Sequence, residues 1–443
     1  MMASTPFFDI FRIKDLRDRI FFTLSVLLVF RLGAILPIPG INGTALKLYF
    51  TQQQSNGISL TDYFDFFSGG AFHNFSIFMM GIMPYISMSI IMQLMVVVFP
   101  SFRKIQQEDG GKKKIHRWTR IGTVIVCLIQ SVAVTQLAAS IPDAIYPGLR
   151  GLPFVLMGML TVTTGTMFLM WMGEQINQRG IGNGISLLIF TGIVARIPDA
   201  IYQLFQAIQR GDLNPVFVII VLLLFVGVIA LVIFEQQGMR KIPVHYAKRV
   251  VGRKMFGAQN TYIPFKMNPS GVIPIIFASS LLMFPLQIAG GFANTVPFLG
   301  ALASFLKPHD WPYLTLYVLL IIFFAYFYTQ VSLNPIEISK QIREHGGSIP
   351  GIRSEKMEEH LTRILNRIIL PGSLFLALIA VIPQLIIMWI PGFPSALAYV
   401  MGGTSLLILV GVDLDTMSQI EGHLRMHHHE GFGKKGKIRS RNL

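Results

Sequence analysis

The chain of 443 residues contains a single cysteine, Cys127, in the middle of an apolar run. One thiol cannot form an intramolecular disulfide or a cysteine metal cluster, and a small buried hydrophobe needs no further role. Acidic residues are also scarce: 22 Asp and Glu stand against 37 Lys and Arg, for a formal net charge of +15. Within the apolar runs carboxylates are scarcer still. Glu174, Asp199, Asp413 and Asp415 lie toward run ends, and only Arg31 falls well inside a run. A secondary transporter keeps coupling carboxylates or other ionisable groups near the membrane midplane, so this distribution argues against one. No His-Glu-x-x-His occurs and no Ser/His pair lies within the runs, which disfavours an intramembrane protease. No cleavable signal peptide is expected, because Asp9, Asp15 and Asp18 interrupt the basic N-terminal segment and no small-residue cleavage site follows the first run. The reading is therefore of a protein without bond-making chemistry, cofactor or metal. His423 with His427, His428 and His429 reads as an adventitious cluster rather than a metal site.

What the sequence has in abundance is apolar length: 52% of its residues are hydrophobic. A helix crossing the hydrocarbon needs about 20 mostly apolar residues. Val216–Phe234 carries no charged or polar side chain and is the clearest example. The others are Ile20–Leu36, Phe75–Phe99, Ile121–Ala139, Leu152–Gly173, a broken run from Ile185, Gly271–Gly291, Tyr313–Leu333, Ile368–Ile390 and Ala396–Val412, ten in all. They are too long and too continuously apolar for the alternating strands of a membrane barrel. The fold class is thus an all-α polytopic membrane protein with ten transmembrane helices.

Positive charge falls in every second gap between these runs. Clusters sit before the first run, from Arg103 to Arg120, from Arg240 to Lys266, from Lys340 to Arg367, and in the tail from Arg425. The intervening gaps hold only Lys47, Arg150, Arg210 and Lys307, with Arg196 close by. The positive-inside rule then places both termini in the cytoplasm. The runs divide into two sets of five near residue 211, giving an N-terminal half 1–211 and a C-terminal half 212–419, followed by a basic flexible tail 420–443. Because five is odd, the halves enter the membrane from opposite faces, which permits an inverted repeat.

Three gaps are more than connections. Residues 37–74 open with Pro37-Ile38-Pro39-Gly40 and run into Ser59–Gly70. In that stretch Leu60, Tyr63, Phe64 and Phe67 recur at i, i+3, i+4 and i+7 before Gly69-Gly70, the pattern of a short one-faced helix. It is too short to span, and the pattern leaves it either at the interface or re-entrant within the protein. The inside gaps 235–270 and 334–367 alternate basic and apolar residues, and 248–254 and 349–353 read as ordered hairpins.

Gly180, Gly182 and Gly184 lie in Met172-Gly-Glu-Gln-Ile-Asn-Gln-Arg-Gly-Ile-Gly-Asn-Gly-Ile-Ser-Leu-Leu-Ile189, an inside turn between two spans. No strand precedes it, so it is not read as a phosphate cradle. The segment closely resembles a signature of the SecY family, the central subunits of the bacterial protein-conducting translocon. Further matches are Phe75–Ser87, His245–Arg249, Gly271–Ser280 and Gly402–Ile408, in order along essentially the whole chain.

The resemblance implies two inverted five-helix halves forming a clamshell around an hourglass pore. It makes the segment at about 59–70 a plug, carried by Leu60, Tyr63, Phe64, Phe67, Gly69 and Gly70. Ile82, Ile86, Ile189, Ile193, Ile276 and Ile408 match the pore ring, where stiff β-branched side chains close the pore by dewetting yet yield to a passing chain. Ser87, Gln93, Gln130 and Ser280 become lateral-gate contacts, and Arg240, Lys241, Lys248, Arg249 and Arg353 become docking positions for cytoplasmic partners. Where the family usually has proline after the arginine matching Arg353, this chain has Ser354. The partners implied are SecE- and SecG-type small membrane subunits, the SecA motor ATPase, the ribosome through its RNA, signal peptides and nascent polypeptides, and membrane lipids. The implied role is translocation of unfolded secretory chains across the bacterial inner membrane, with lateral release of apolar segments.

Overall fold

Long apolar runs become helices because a helix satisfies its interior N–H and C=O groups within one segment, as hydrocarbon demands. The computed structural model describes residues 13–54, 65, 68–211, 213–246, 249–251, 254–256, 260–292, 297–306, 310–389, 397–398 and 402–434. Its helices are α1 (Lys14–Ile35), α2 (Gly43–Gln54), α3 (Met83–Val98), α4 (Pro100–Gln107), α5 (Gly111–Ser140), α6 (Leu152–Arg179), α7 (Gly184–Val194) and α8 (Ile197–Arg210). These are followed by α9 (Pro215–Gln237), α10 (Ile273–Phe292), α11 (Pro297–Phe305), α12 (Trp311–Ser332), α13 (Pro335–Glu344), α14 (Met357–Trp389) and α15 (Gly403–Lys434). Among the described residues six helices are long and apolar enough to cross a membrane, and α3 with α4 adds a pair bent by 105°. Of the other expected spans, two fall on α1 and α10, and Ala396–Val412 is covered by α15 from Gly403, with residues 396 and 399–401 outside the described residues. On α9, Leu223 is 68% and Phe234 80% exposed, as befits a helix whose solvent is lipid.

The packing divides the chain into two units that interleave along the sequence. The first comprises Met1–Tyr85, Cys127–Ile197 and Ile408–Leu443. Within it α1 packs on α6 and α7, and α6 on α7. A Cβ on Gly184 would collide with the Gly173 carbonyl, so α6 and α7 meet backbone to backbone. The glycine turn between them is held by side chains. Ile181 N donates to Thr23 Oγ1 at 3.0 Å, Gly182 N to Gln419 Oε1 at 2.8 Å and Gly184 N to Asn177 Oδ1 at 2.8 Å. Asn183 then caps α7, accepting from Ile185 N at 3.2 Å, the ordinary preference for Asn at a helix start.

The second unit comprises Ile86–Val126 and Pro198–Leu407. Here α10 packs on α12, α12 on α14, and α13 on α14. Strand β1 (Met239–Tyr246) pairs antiparallel with β4 (Asn260–Lys266) and, at its end, with β5 (Gly347–Ser348). Between them β2 (Arg249–Val251) and β3 (Lys254–Phe256) form the expected hairpin. Along β1, Ile242 and Val244 are buried while Lys241, Pro243 and His245 face out, the two-residue alternation of a strand with one covered face; Arg240, on the side of Ile242 and Val244, is exposed near the strand's start. Ile242, Val244 and Phe265 join Ile342, Ile349, Met357 and Leu361 in one core.

Two stretches differ from the sequence reading. Apolar length opens the second span at Phe75, but its helix starts at Met83. Before it the chain winds through turns, with Phe75 at φ 43° and Gly81 at φ 56°. Those turns are internally bonded: Ser76 N to Ala71 O, Ile77 N to Leu36 O and Gly81 N to Phe78 O, at 2.8–3.0 Å. The residues from 420, whose composition suggests a flexible tail, are helical as far as Lys434. Ile420 and Leu424 pack with Leu16, Ile20 and Ile181, and that apolar face overrides the local composition.

Thr23 gives a clean test of the glycine turn. Thr23→Val keeps the shape but leaves the buried Ile181 amide without its acceptor, at a cost of about 1–3 kcal/mol. The expected result is a lower melting temperature of the purified protein in detergent. Thr315→Val is the matched control: Thr315 Oγ1 is exposed and bonds only to Trp311 O of its own helix, so the melting temperature should not change.

Candidate functional site

The segment expected to act as a plug ends in a dense polar anchor within the first unit. Leu60, Tyr63, Phe64 and Phe67 lie outside the described residues, whereas Asp65, Ser68, Gly69 and Gly70 are placed. The Asp65 side chain is 2% exposed and pairs with the guanidinium of Arg196. The same carboxylate accepts from His73 N at 2.7 Å and lies 3.3 Å from His73 Nδ1. Ser68 Oγ donates to Asp65 O at 3.1 Å and accepts from Phe72 N at 3.0 Å. Phe50 stacks on the His73 ring, with centroids 4.5 Å apart. A buried carboxylate is tolerated only when paired and hydrogen-bonded, and here both conditions are met.

A second cation reaches the same segment from α1. Arg31 Nη1 donates to Gly69 O at 2.8 Å. Gly69 has φ +67°, and a Cβ there would stand 2.6 Å from Gly192 Cα, closer than atoms can pack. The end of the segment thus lies directly on α7, against a glycine flanked by Ile189 and Ile193 in sequence. Only glycine permits both that backbone angle and that approach.

The six isoleucines expected to form the ring fall on several elements. Ile82 precedes α3 and is 6% exposed; Ile86, on α3, is equally buried. Ile189 and Ile193 lie on α7 and Ile408 on α15, all buried, while Ile276, on α10, is half-buried. Ile82, Ile189, Ile193 and Ile408 belong to the first unit, Ile86 and Ile276 to the second.

Of the expected gate residues, Ser87, Gln130 and Ser280 are buried and Gln93 is half-buried. Gln93 Nε2 is 3.4 Å from Ser89 Oγ on its own helix. Gln130 Oε1 has no hydrogen-bond partner among the described residues. A buried amide oxygen in that condition is a costly feature unless something engages it.

Of the positions expected to dock partners, Arg240, Lys241 and Arg249 lie on strands. Arg240 and Lys241 are exposed on β1, and Lys241 Nζ lies 4.8 Å from the centroid of the Tyr262 ring. Arg353 is exposed and leads into the short 3₁₀ turn Ser354–Lys356. Arg249 lies on β2, and Lys248 falls outside the described residues.

Reading the sequence for function missed Asp65, Ser68, His73, Gly192 and Arg196. One signal was available: Arg31 is a lone cation deep in an apolar run, and such residues usually have a specific partner. Its partner is a backbone carbonyl, which no sequence pattern marks.

Comparison with known proteins bears on the whole chain. The family model described as SecY matches residues 76–417. The protein translocase subunit SecY of Borreliella burgdorferi is 47% identical over 434 residues, covering 97% of each chain. That of Thermotoga maritima is 43% identical, over 98% of this chain and 99% of its own. Among solved structures, a protein-conducting channel superposes with a TM-score of 0.65 at 18% identity, covering 95% of both chains. Sec61 from the canine ribosome–channel complex gives 0.62 at 18% identity, again over 95% of both. The structural likeness establishes the fold and the near-complete sequence matches establish the relationship: this chain belongs to the SecY family.

Proposed function

We propose that this chain is the pore subunit of a Sec translocon. It conducts unfolded secretory polypeptides across the membrane and releases apolar segments sideways into lipid. The observation that carries this reading is 47% identity to a protein translocase subunit over 97% of the chain. The chain does no bond chemistry of its own, and the driving force comes from a SecA-type motor ATPase or a translating ribosome. SecE- and SecG-type subunits complete the complex. The cytoplasmic clusters of Lys and Arg support a bacterial inner-membrane location with both termini inside.

In this reading Ile82, Ile86, Ile189, Ile193, Ile276 and Ile408 form the hydrophobic constriction, and residues 59–70 seal it at rest. The close seat of Gly69 on Gly192, between Ile189 and Ile193 on α7, supports that role. A solved SecY whose plug domain stabilises the closed state and maintains a membrane seal has the same fold, with a TM-score of 0.63. Ser87, Gln93, Gln130 and Ser280 contribute reversible polar contacts at the lateral gate. Arg240, Lys241 and Arg353 meet phosphates of ribosomal RNA or acidic patches on the motor.

Proteoliposomes holding the purified complex, a motor ATPase and a preprotein test the function. ATP-dependent protection of the preprotein from added protease is expected, and its absence from vesicles with correctly inserted protein would refute the reading. The constriction has its own test. Ile408→Asn hydrates a dry collar, so it should pass preproteins with defective signal sequences and raise the resting ion leak. Loss of folded protein with no gain in export would remove Ile408 from the ring.

The docking surface predicts a salt dependence. Taking away one cation that meets a phosphate reduces the slope of log affinity against log salt by about one unit. Arg353→Glu should therefore weaken ribosome binding by membrane vesicles and flatten its salt dependence without disturbing insertion. Unchanged binding across a salt titration would exclude Arg353 from the interface.

A further inference from the structure

We propose that the Asp65–Arg196 ion pair, braced by Arg31 on the Gly69 carbonyl, is an electrostatic latch that sets how firmly the resting channel is closed. The proposal rests on the reading of residues 59–70 as a plug and names what holds that plug in place.

Three attachments converge on a few residues. Asp65 is held by the Arg196 guanidinium, at the exit of α7. Gly69 is held by Arg31 from α1 at 2.8 Å. Gly69 also lies on the backbone of Gly192. Two cations from separate elements are thus committed to one short segment, in a protein whose apolar runs otherwise exclude charge from their interiors. The Asp65–Arg196 pair ties a segment too short to span to the end of the helix that carries Ile189 and Ile193.

The chemistry gives the latch a trigger. With the Asp65 side chain 2% and the Arg196 side chain 20% exposed, the pair sits in a dry environment where attraction between opposite charges is strong. Water admitted with an entering polypeptide raises the local dielectric and offers both ions alternative partners, which weakens the pair. The closed state is therefore most stable when the site is dry and loosens as it is wetted. The backbone bonds Gly70 N to Asp65 O, 3.0 Å, and Ser76 N to Ala71 O, 2.9 Å, keep the segment's end in register with the carboxylate.

The test is the resting conductance of the channel complex, purified with its companion subunits and recorded in planar bilayers without substrate. Asp65→Asn is nearly isosteric and removes the charge. It should raise the open population roughly tenfold, as should Arg196→Gln. Asp65→Glu, which keeps the charge, should stay within roughly twofold of the parent channel. The double variant Asp65→Asn with Arg196→Gln should leak no more than the worse single variant, because both act on one interaction. Deletion of residues 59–70 runs alongside. If the deletion raises the leak but neither single charge variant does, the latch is overturned and the plug reading survives. If the deletion also leaves the leak unchanged, the plug reading fails and takes the latch with it. If the charge variants lower the yield of folded complex while the channels that fold conduct like the parent, the pair is structural only and the latch is again overturned.

Discussion

Every backbone amide that this chain carries away from water has to find its acceptor within the protein, and most of the architecture follows from that requirement. Regular helices meet it automatically. The informative places are where the helix stops. Residues 69–82 are non-helical, yet Phe72, His73, Phe75, Ser76, Ile77, Phe78, Met79 and Gly81 all donate their amides to named acceptors. The glycine turn before α7 is treated the same way, with Thr23, Asn177 and Gln419 reaching in from distant parts of the sequence. Irregular backbone of this kind is retained because it allows close approach that a helix cannot. Gly69, in such a turn, reaches the backbone of Gly192.

Charge follows the same rule. Lys241 stands on the exposed face of a small sheet whose other face packs against Ile342 and Met357. A charge costs little to hold there. Three ions of the first unit have specific partners. Asp65 meets Arg196, and Arg31 meets a carbonyl oxygen. A channel for polypeptides needs no fixed coupling charge at its centre, and Arg31, Asp65 and Arg196 are each committed to a contact that holds the chain together instead.

How much of this was legible in the sequence depends on the range of the interaction. Apolar length is a local property, so the long apolar helices could be read directly. The break near Ile185 and the turn chemistry of Gly180, Gly182 and Gly184 were legible for the same reason. The start of the second span was not, because residues 75–82 are as apolar as a helix and become turns through bonds to Leu36 and Phe72. The helical continuation past residue 420 was hidden because its support comes from Leu16 and Ile181. The anchor at Asp65 was not legible: periodicity shows which face of a segment is apolar and cannot show which arginine neutralises Asp65.

The proposed channel requires a polypeptide to pass beside the isoleucines assigned to its constriction, and site-specific photocrosslinking reads that directly. A photoreactive residue replaces Ile82, Ile276 or Leu223 in turn, and a preprotein is stalled part-way through translocation. Leu223, 68% exposed on α9, is the lipid-facing comparison. Crosslinks to the stalled chain from positions 82 and 276, with none from 223, are the predicted result. Equal labelling from all three positions, or labelling from 223 alone, would contradict it.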